Sequence, residues 1–119
     1  MPGFEVWDIS KVPFPYTNRP VRQLRQALVV RTAEAAGAPD LLWVLMVTSS
    51  AHRQWECDVV ITDLATARLP APSMVRTAKI ATIEALDAQA IGKLPQANWN
   101  AFLTVLVDVV HPMHSPADV

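Results

Sequence analysis

Leu41–Thr48, LLWVLMVT, is an unbroken apolar run of strand length. It is far too short to cross a bilayer, and it has no polar alternation that would leave one face to water. It therefore predicts a strand buried on both faces at the centre of a sheet. The run ends abruptly in Thr48, Ser49, Ser50, Ala51 and His52. Hydroxyls clustered at a strand end read as turn formers that bond their own backbone.

The rest of the chain supplies partners for such a strand. Phe4–Ile9 is near-alternating and reads as a first strand, stopped by Pro13 and Pro15, which resist regular pairing. Gln26–Arg31 reads as a second strand, joined to the first by a long hairpin loop. Thr32–Asp40, with Gly37 and Pro39, is a connection. Glu56–Thr62 is a fourth strand and Ala65–Pro72 a loop. Ser73–Ile83 alternates, which places Arg76 and Lys79 on opposite faces. Glu84–Ala90 suits a short helical turn and Ile91–Leu94 a short extended piece. Gln96–Val110 is the clearest helix, because Trp99, Phe102, Leu103, Leu106, Val109 and Val110 recur at spacings of three and four. So apolar a helix needs cover beyond one sheet face, either from a second copy of the chain or by closing a barrel. A length of 119 residues suits one domain, here 1–110, with 111–119 as a tail expected to be disordered.

Charge points to one region. The formal net charge is −1, yet Lys11–Val30 carries Lys11, Arg19, Arg22 and Arg25 with no Asp or Glu. Arginines at the rim of a β-structure suit a phosphate-bearing ligand, since each offers planar, bidentate donors. The plain alternative is a solvated loop. A single cysteine, Cys57, excludes an intramolecular disulfide framework and reads as a buried strand residue. His111 and His114 lack a second ligand pair for zinc, and the three glycines form no phosphate loop. No cofactor is expected. The opening MPGFEVWDISK has neither a charged leader nor an apolar signal core, so no membrane association and a cytoplasmic location are the expectations.

Particular residues carry a resemblance. Val12-Pro13-Phe14-Pro15-Tyr16-Thr17, then Arg25-Gln26-Ala27-Leu28-Val29-Val30, resemble the opening of the MazF/PemK toxins. Met46-Val47-Thr48-Ser49 is similar to the family's strand ending in I-T-S. Ser73–Ile83 resembles its S-V-V-R-x-D-K strand, and Ile91-Gly92-Lys93-Leu94 matches the I-G-[KR]-L before its last helix. The similarity runs in order from about residue 3 to 110. It implies a mainly β fold with a C-terminal helix, a compact SH3-like β-barrel of the MazF/CcdB toxin type. It also implies a homodimer that cleaves single-stranded RNA without metal and is neutralised by a cognate antitoxin.

The resemblance assigns phosphate and transition-state contacts to Arg25 and Arg76, and substrate orientation to Thr48. Arg19, Arg22 and Tyr16 are the candidates for RNA binding. Arg76 is expected at the rim, where its removal spares the fold. The family's Asp two residues after the second arginine is Ala78 here, and the proline after the first is Gln26. Loss of that carboxylate predicts weakened catalysis unless His52 replaces it, since an imidazole is the side-chain type suited to proton transfer near neutrality. Two other readings remain open. One is a non-catalytic module on the same fold that holds RNA or an antitoxin peptide; the other is a gyrase-directed toxin.

Overall fold

The computed structural model describes residues 3–15, 22–34, 37 and 40–110. Six strands form one antiparallel sheet: β1 (Asp8–Pro15), β2 (Arg22–Ala33), β3 (Leu41–Ser49), β4 (Asp58–Val60), β5 (Ser73–Glu84) and β6 (Gln89–Lys93). Their order is β4-β5-β3-β2-β1-β6. A short helix α1 (Leu64–Ala67) follows β4, and helix α2 (Trp99–Val110) closes the described chain. The expected mainly β fold with a C-terminal helix is present. A closed barrel is not: β4 and β6 remain the two edges, and no strand pair joins them among the described residues.

The apolar run explains the centre. β3 lies between β5 and β2. Its Leu45 and Val47 enter one core with Ile9, Leu28, Val75, Leu94 and Phe102. Its Leu42, Val44 and Met46 enter a second core with Val12, Phe14, Val29 and Ile83. Alternate residues point to opposite faces, so a strand serving two cores must be apolar at nearly every position. Only Trp43 breaks outward, under the guanidinium of Arg31 5.4 Å away.

Two expectations are corrected. The prolines do not end the first strand, because β1 continues through Pro13 and Pro15 and pairs with β2 as far as Pro15↔Arg22. Pro13 and Pro15 share one strand edge by the period of two, and β6 pairs with β1 only through Lys11. Along the edge beyond Lys11 there is no ladder for their missing donors to break. The second correction concerns β5. Its register against β3 jumps from Leu45↔Ile80 to Met46↔Arg76, so Thr77, Ala78 and Lys79 bulge without partners on β3. Such a bulge destroys alternation. Arg76 and Lys79, expected on opposite faces, both approach the ring of Trp55, at 3.8 and 6.0 Å.

Helix α1, in a stretch expected to be loop, covers part of the gap between the sheet edges. Asp63 caps it by accepting the Thr66 N–H at 3.1 Å and the Thr66 hydroxyl at 2.6 Å, which holds the Asp63 carboxyl below its ordinary pKa. The helix backbone lies directly on Gly92 of β6. A Cβ placed there falls 2.6 Å from the Ala67 carbonyl carbon and 3.0 Å from the Thr66 oxygen. Since backbone must move to admit a methyl, Gly92→Ala is expected to cost about 1–3 kcal/mol. Urea unfolding measures it, and an unchanged midpoint would show that α1 is loosely seated.

Helix α2 is pinned by a strained residue. Trp7 has φ 80°, a value unfavourable for a bulky side chain. Its N–H donates to Val29 O at 2.8 Å, and its carbonyl accepts Leu94 N–H at 2.7 Å. So held, its ring stacks on Trp99 at 5.6 Å and meets Phe102 at 6.2 Å. Leu103, one turn on from Trp99, remains half exposed. Beside this point the Lys93 ammonium bonds Asp8 at 2.8 Å, which holds the Lys93 pKa above its ordinary value. Among the described residues no helix is long and apolar enough to cross a membrane.

Candidate functional site

The site grows from a fork in the sheet. β2 and β3 pair from Ala33↔Leu41 to Ala27↔Met46 and then part. Beyond that point Leu24, Arg25 and Gln26 stay with β1, opposite Pro13, Val12 and Lys11. Val47, Thr48 and Ser49 stay with β5, opposite Val75, Met74 and Ser73. A cleft of about 280 Å³ opens between the diverging ends. Lys11, Leu24, Arg25 and Gln26 form one wall, and Val47, Thr48, Ser49 and His52 form the other. Continuing the β2–β3 register by two residues places Arg25 opposite Thr48.

The turn after β3 brings in His52. The Ser49 hydroxyl accepts the Ala51 N–H at 3.1 Å, and His52 N–H donates to the Ser49 carbonyl at 3.1 Å. The hydroxyl cluster thus does what turn-forming serines do, and it folds the chain back on itself. As a result His52 Nδ1 lies 2.9 Å from Thr48 Oγ1. Thr48 is buried and His52 exposed, so the hydroxyl is a fixed post for a ring at the cleft mouth. When Nδ1–H donates to Thr48, Nε2 is left as a proton acceptor.

Among the described residues, nothing neutralises the cations on the opposite wall. Arg25 is half-buried, and its guanidinium lies 3.9 Å from the Met46 sulfur. Among the described residues, neither Arg25 nor Lys11 pairs with a carboxylate. Lys11 was part of the basic stretch but not among the expected site residues. Its place is set by the Lys11↔Gln26 pairing, which the sequence does not reveal.

Arg76 lies elsewhere. It is 9% exposed and does not line the cleft. Its Nε donates to both Asp58 carboxylate oxygens at 3.2 Å, and Nη2 reaches Asp58 Oδ2 at 2.9 Å and the Arg53 carbonyl at 2.8 Å. Asp58 and Arg76 face each other across β4 and β5, which is why the pair forms. Asp58 Oδ2 also accepts the Trp55 N–H at 2.8 Å, and the Trp55 ring lies against the guanidinium. Arg76 therefore ties down the 53–58 segment that follows His52. The carboxylate that pairs with Arg76 is Asp58, supplied by the neighbouring strand. An acidic residue inside the apolar run of ECDVVI was the available signal, because a buried Asp needs a partner.

Arg25, Thr48 and His52 thus meet at one cleft, and Arg76 stands outside it. Arg22 opens β2 opposite Pro15, two residues outward of Leu24. Tyr16 and Arg19 lie outside the described residues, as do His111 and His114 and the expected tail. Cys57 is half-buried just before β4, and its carbonyl accepts the Thr77 hydroxyl at 2.7 Å. Compared with protein-family models and with curated proteins, the chain matches none.

Proposed function

We propose that this chain is the toxin of a type II toxin–antitoxin pair, a homodimeric endoribonuclease that cleaves single-stranded RNA without metal. On this reading the curved open sheet is a variant of the SH3-like barrel of MazF/PemK toxins, and a cognate antitoxin neutralises it. The observation that carries the reading is the cleft itself. Cations on one wall face a threonine–histidine pair on the other, at the residues where the family resemblance places its strand-start arginine and strand-end threonine.

The chemistry follows from those groups. A phosphodiester drawn into the cleft meets Arg25 and Lys11, which bind its non-bridging oxygens and stabilise the charge that develops on them. Thr48 holds His52 Nδ1–H, so Nε2 removes the proton from the adjacent 2′-hydroxyl. The 2′-oxygen bonds to phosphorus, the bond from phosphorus to the 5′-oxygen breaks, and that oxygen leaves with a proton from solvent. The products are a 2′,3′-cyclic phosphate and a 5′-hydroxyl.

A long RNA incubated with the protein and a chelator tests the proposal. Fragments ending in 2′,3′-cyclic phosphate are expected, and a 2′-deoxy substitution at the cleaved position abolishes them. Binding without cleavage selects the second reading, a non-catalytic RNA-binding module. The locking of Arg76 to Asp58 favours that alternative, because it withholds an arginine that the resemblance gives to the chemistry.

Arg25 has its own signature. Arg25→Ala is expected to weaken RNA binding and to flatten its salt dependence by about 0.7 in log–log slope per lost phosphate contact. An unchanged slope removes Arg25 from the site.

A further inference from the structure

In the segment that follows His52 the structure holds an aromatic group in an unusual way. Trp55 sits in the segment between β3 and β4 and is 39% exposed. Its orientation is nevertheless fixed. The backbone N–H is bound by Asp58, and the guanidinium of Arg76 stands 3.8 Å from the ring centroid. Arg76 is itself immobilised by Asp58 and by the Arg53 carbonyl. The Lys79 ammonium, brought round by the β5 bulge, lies 6.0 Å from the same ring.

We propose that Trp55 is a stacking platform for a nucleobase of the RNA, one that flanks the nucleotide held between Arg25 and His52. The inference rests on the RNA reading above and adds a second point of attachment to it. Reach favours the arrangement: Trp55 follows His52 by three residues, so their Cα atoms are at most about 10–11 Å apart. That span matches a neighbouring nucleotide or the one after it. Charge also favours it. Asp58 already neutralises Arg76, whereas Lys79 pairs with no carboxylate among the described residues and is placed to meet the phosphate of the stacked nucleotide. A ring held in advance loses little freedom when a base lands on it. Stacking accepts any base, because every base has a π face.

The experiment is binding of 2′-O-methyl oligouridine and oligoadenosine, which resist cleavage, followed by fluorescence anisotropy at several salt concentrations. Trp55→Leu is expected to weaken both complexes by roughly five- to hundredfold, while Trp55→Tyr retains most of the affinity. The salt slope should stay near the wild-type value, because Lys79 and the cations of the cleft still meet the phosphates and the stacked base itself displaces no counterion. Saturating RNA should quench tryptophan emission in the wild type more than in Trp55→Leu. Wild-type affinity in Trp55→Leu overturns the platform alone and leaves Trp55 as a lid on the Arg76–Asp58 pair. A loss that Tyr does not rescue, with a changed slope, also overturns it, since the ring then acts by holding the loop. If the wild type binds neither oligonucleotide, the RNA reading fails and the platform fails with it.

Discussion

Asp58→Ala is expected to lower stability by about 3–5 kcal/mol. The Asp58 side chain is fully buried and that of Arg76 only 11% exposed, so water screens their contact little. Removing the carboxylate strands a buried guanidinium, and the desolvation already incurred is no longer offset by the pair. Trp55 N–H loses its acceptor as well. Arg76→Ala should be nearly as damaging, contrary to the sequence expectation of a dispensable rim arginine. Replacing both residues together, Asp58→Leu with Arg76→Met, should recover much of the loss, because well-packed apolar side chains often substitute for a buried ion pair. Urea denaturation of the three variants measures these differences. A loss below about 1 kcal/mol for Asp58→Ala would place the pair among solvent-screened surface bridges.

His52→Ala is expected to reduce RNA cleavage by about 10²–10⁴-fold, the usual contribution of a positioned proton-transfer group. RNA affinity should change little, because the binding cations lie on the opposite wall. Thr48→Val should lower turnover less, since the imidazole remains but loses the 2.9 Å contact that orients it. Ala78→Asp should do almost nothing: position 78 is exposed on the bulge, and Arg76 already has its carboxylate in Asp58. Single-turnover rates at equal protein concentration separate these outcomes. A fully active His52→Ala protein would show that the proton goes elsewhere. A rise in rate with Ala78→Asp would show that a carboxylate at that position can still reach the chemistry.

Elements whose burial is written in local pattern were legible without coordinates. LLWVLMVT reads as a central strand because it is apolar throughout and of strand length, and β3 lies at the centre, with Trp43 alone turned outward. The stripe through Trp99 and Phe102 required a helix against a core, and Phe102 is fully buried in one. The serine-rich end of β3 was readable as a turn, and the resemblance singled out Arg25 and Thr48 in advance. Three matters were decided only by tertiary structure. β1 runs through its prolines because of where its pairing with β6 stops, at Gln89, far away in sequence. Alternation along β5 failed because bulges arise from the register between two strands, which no single strand encodes. Arg76 has a charge and a motif position that suit it to phosphate, yet its partner is chosen by the pairing of β4 with β5, which sets Asp58 opposite it. Local sequence specifies what a side chain is able to do. Pairing between distant strands decides which of those abilities are already occupied, because a cation satisfied by a buried carboxylate is no longer available to a ligand.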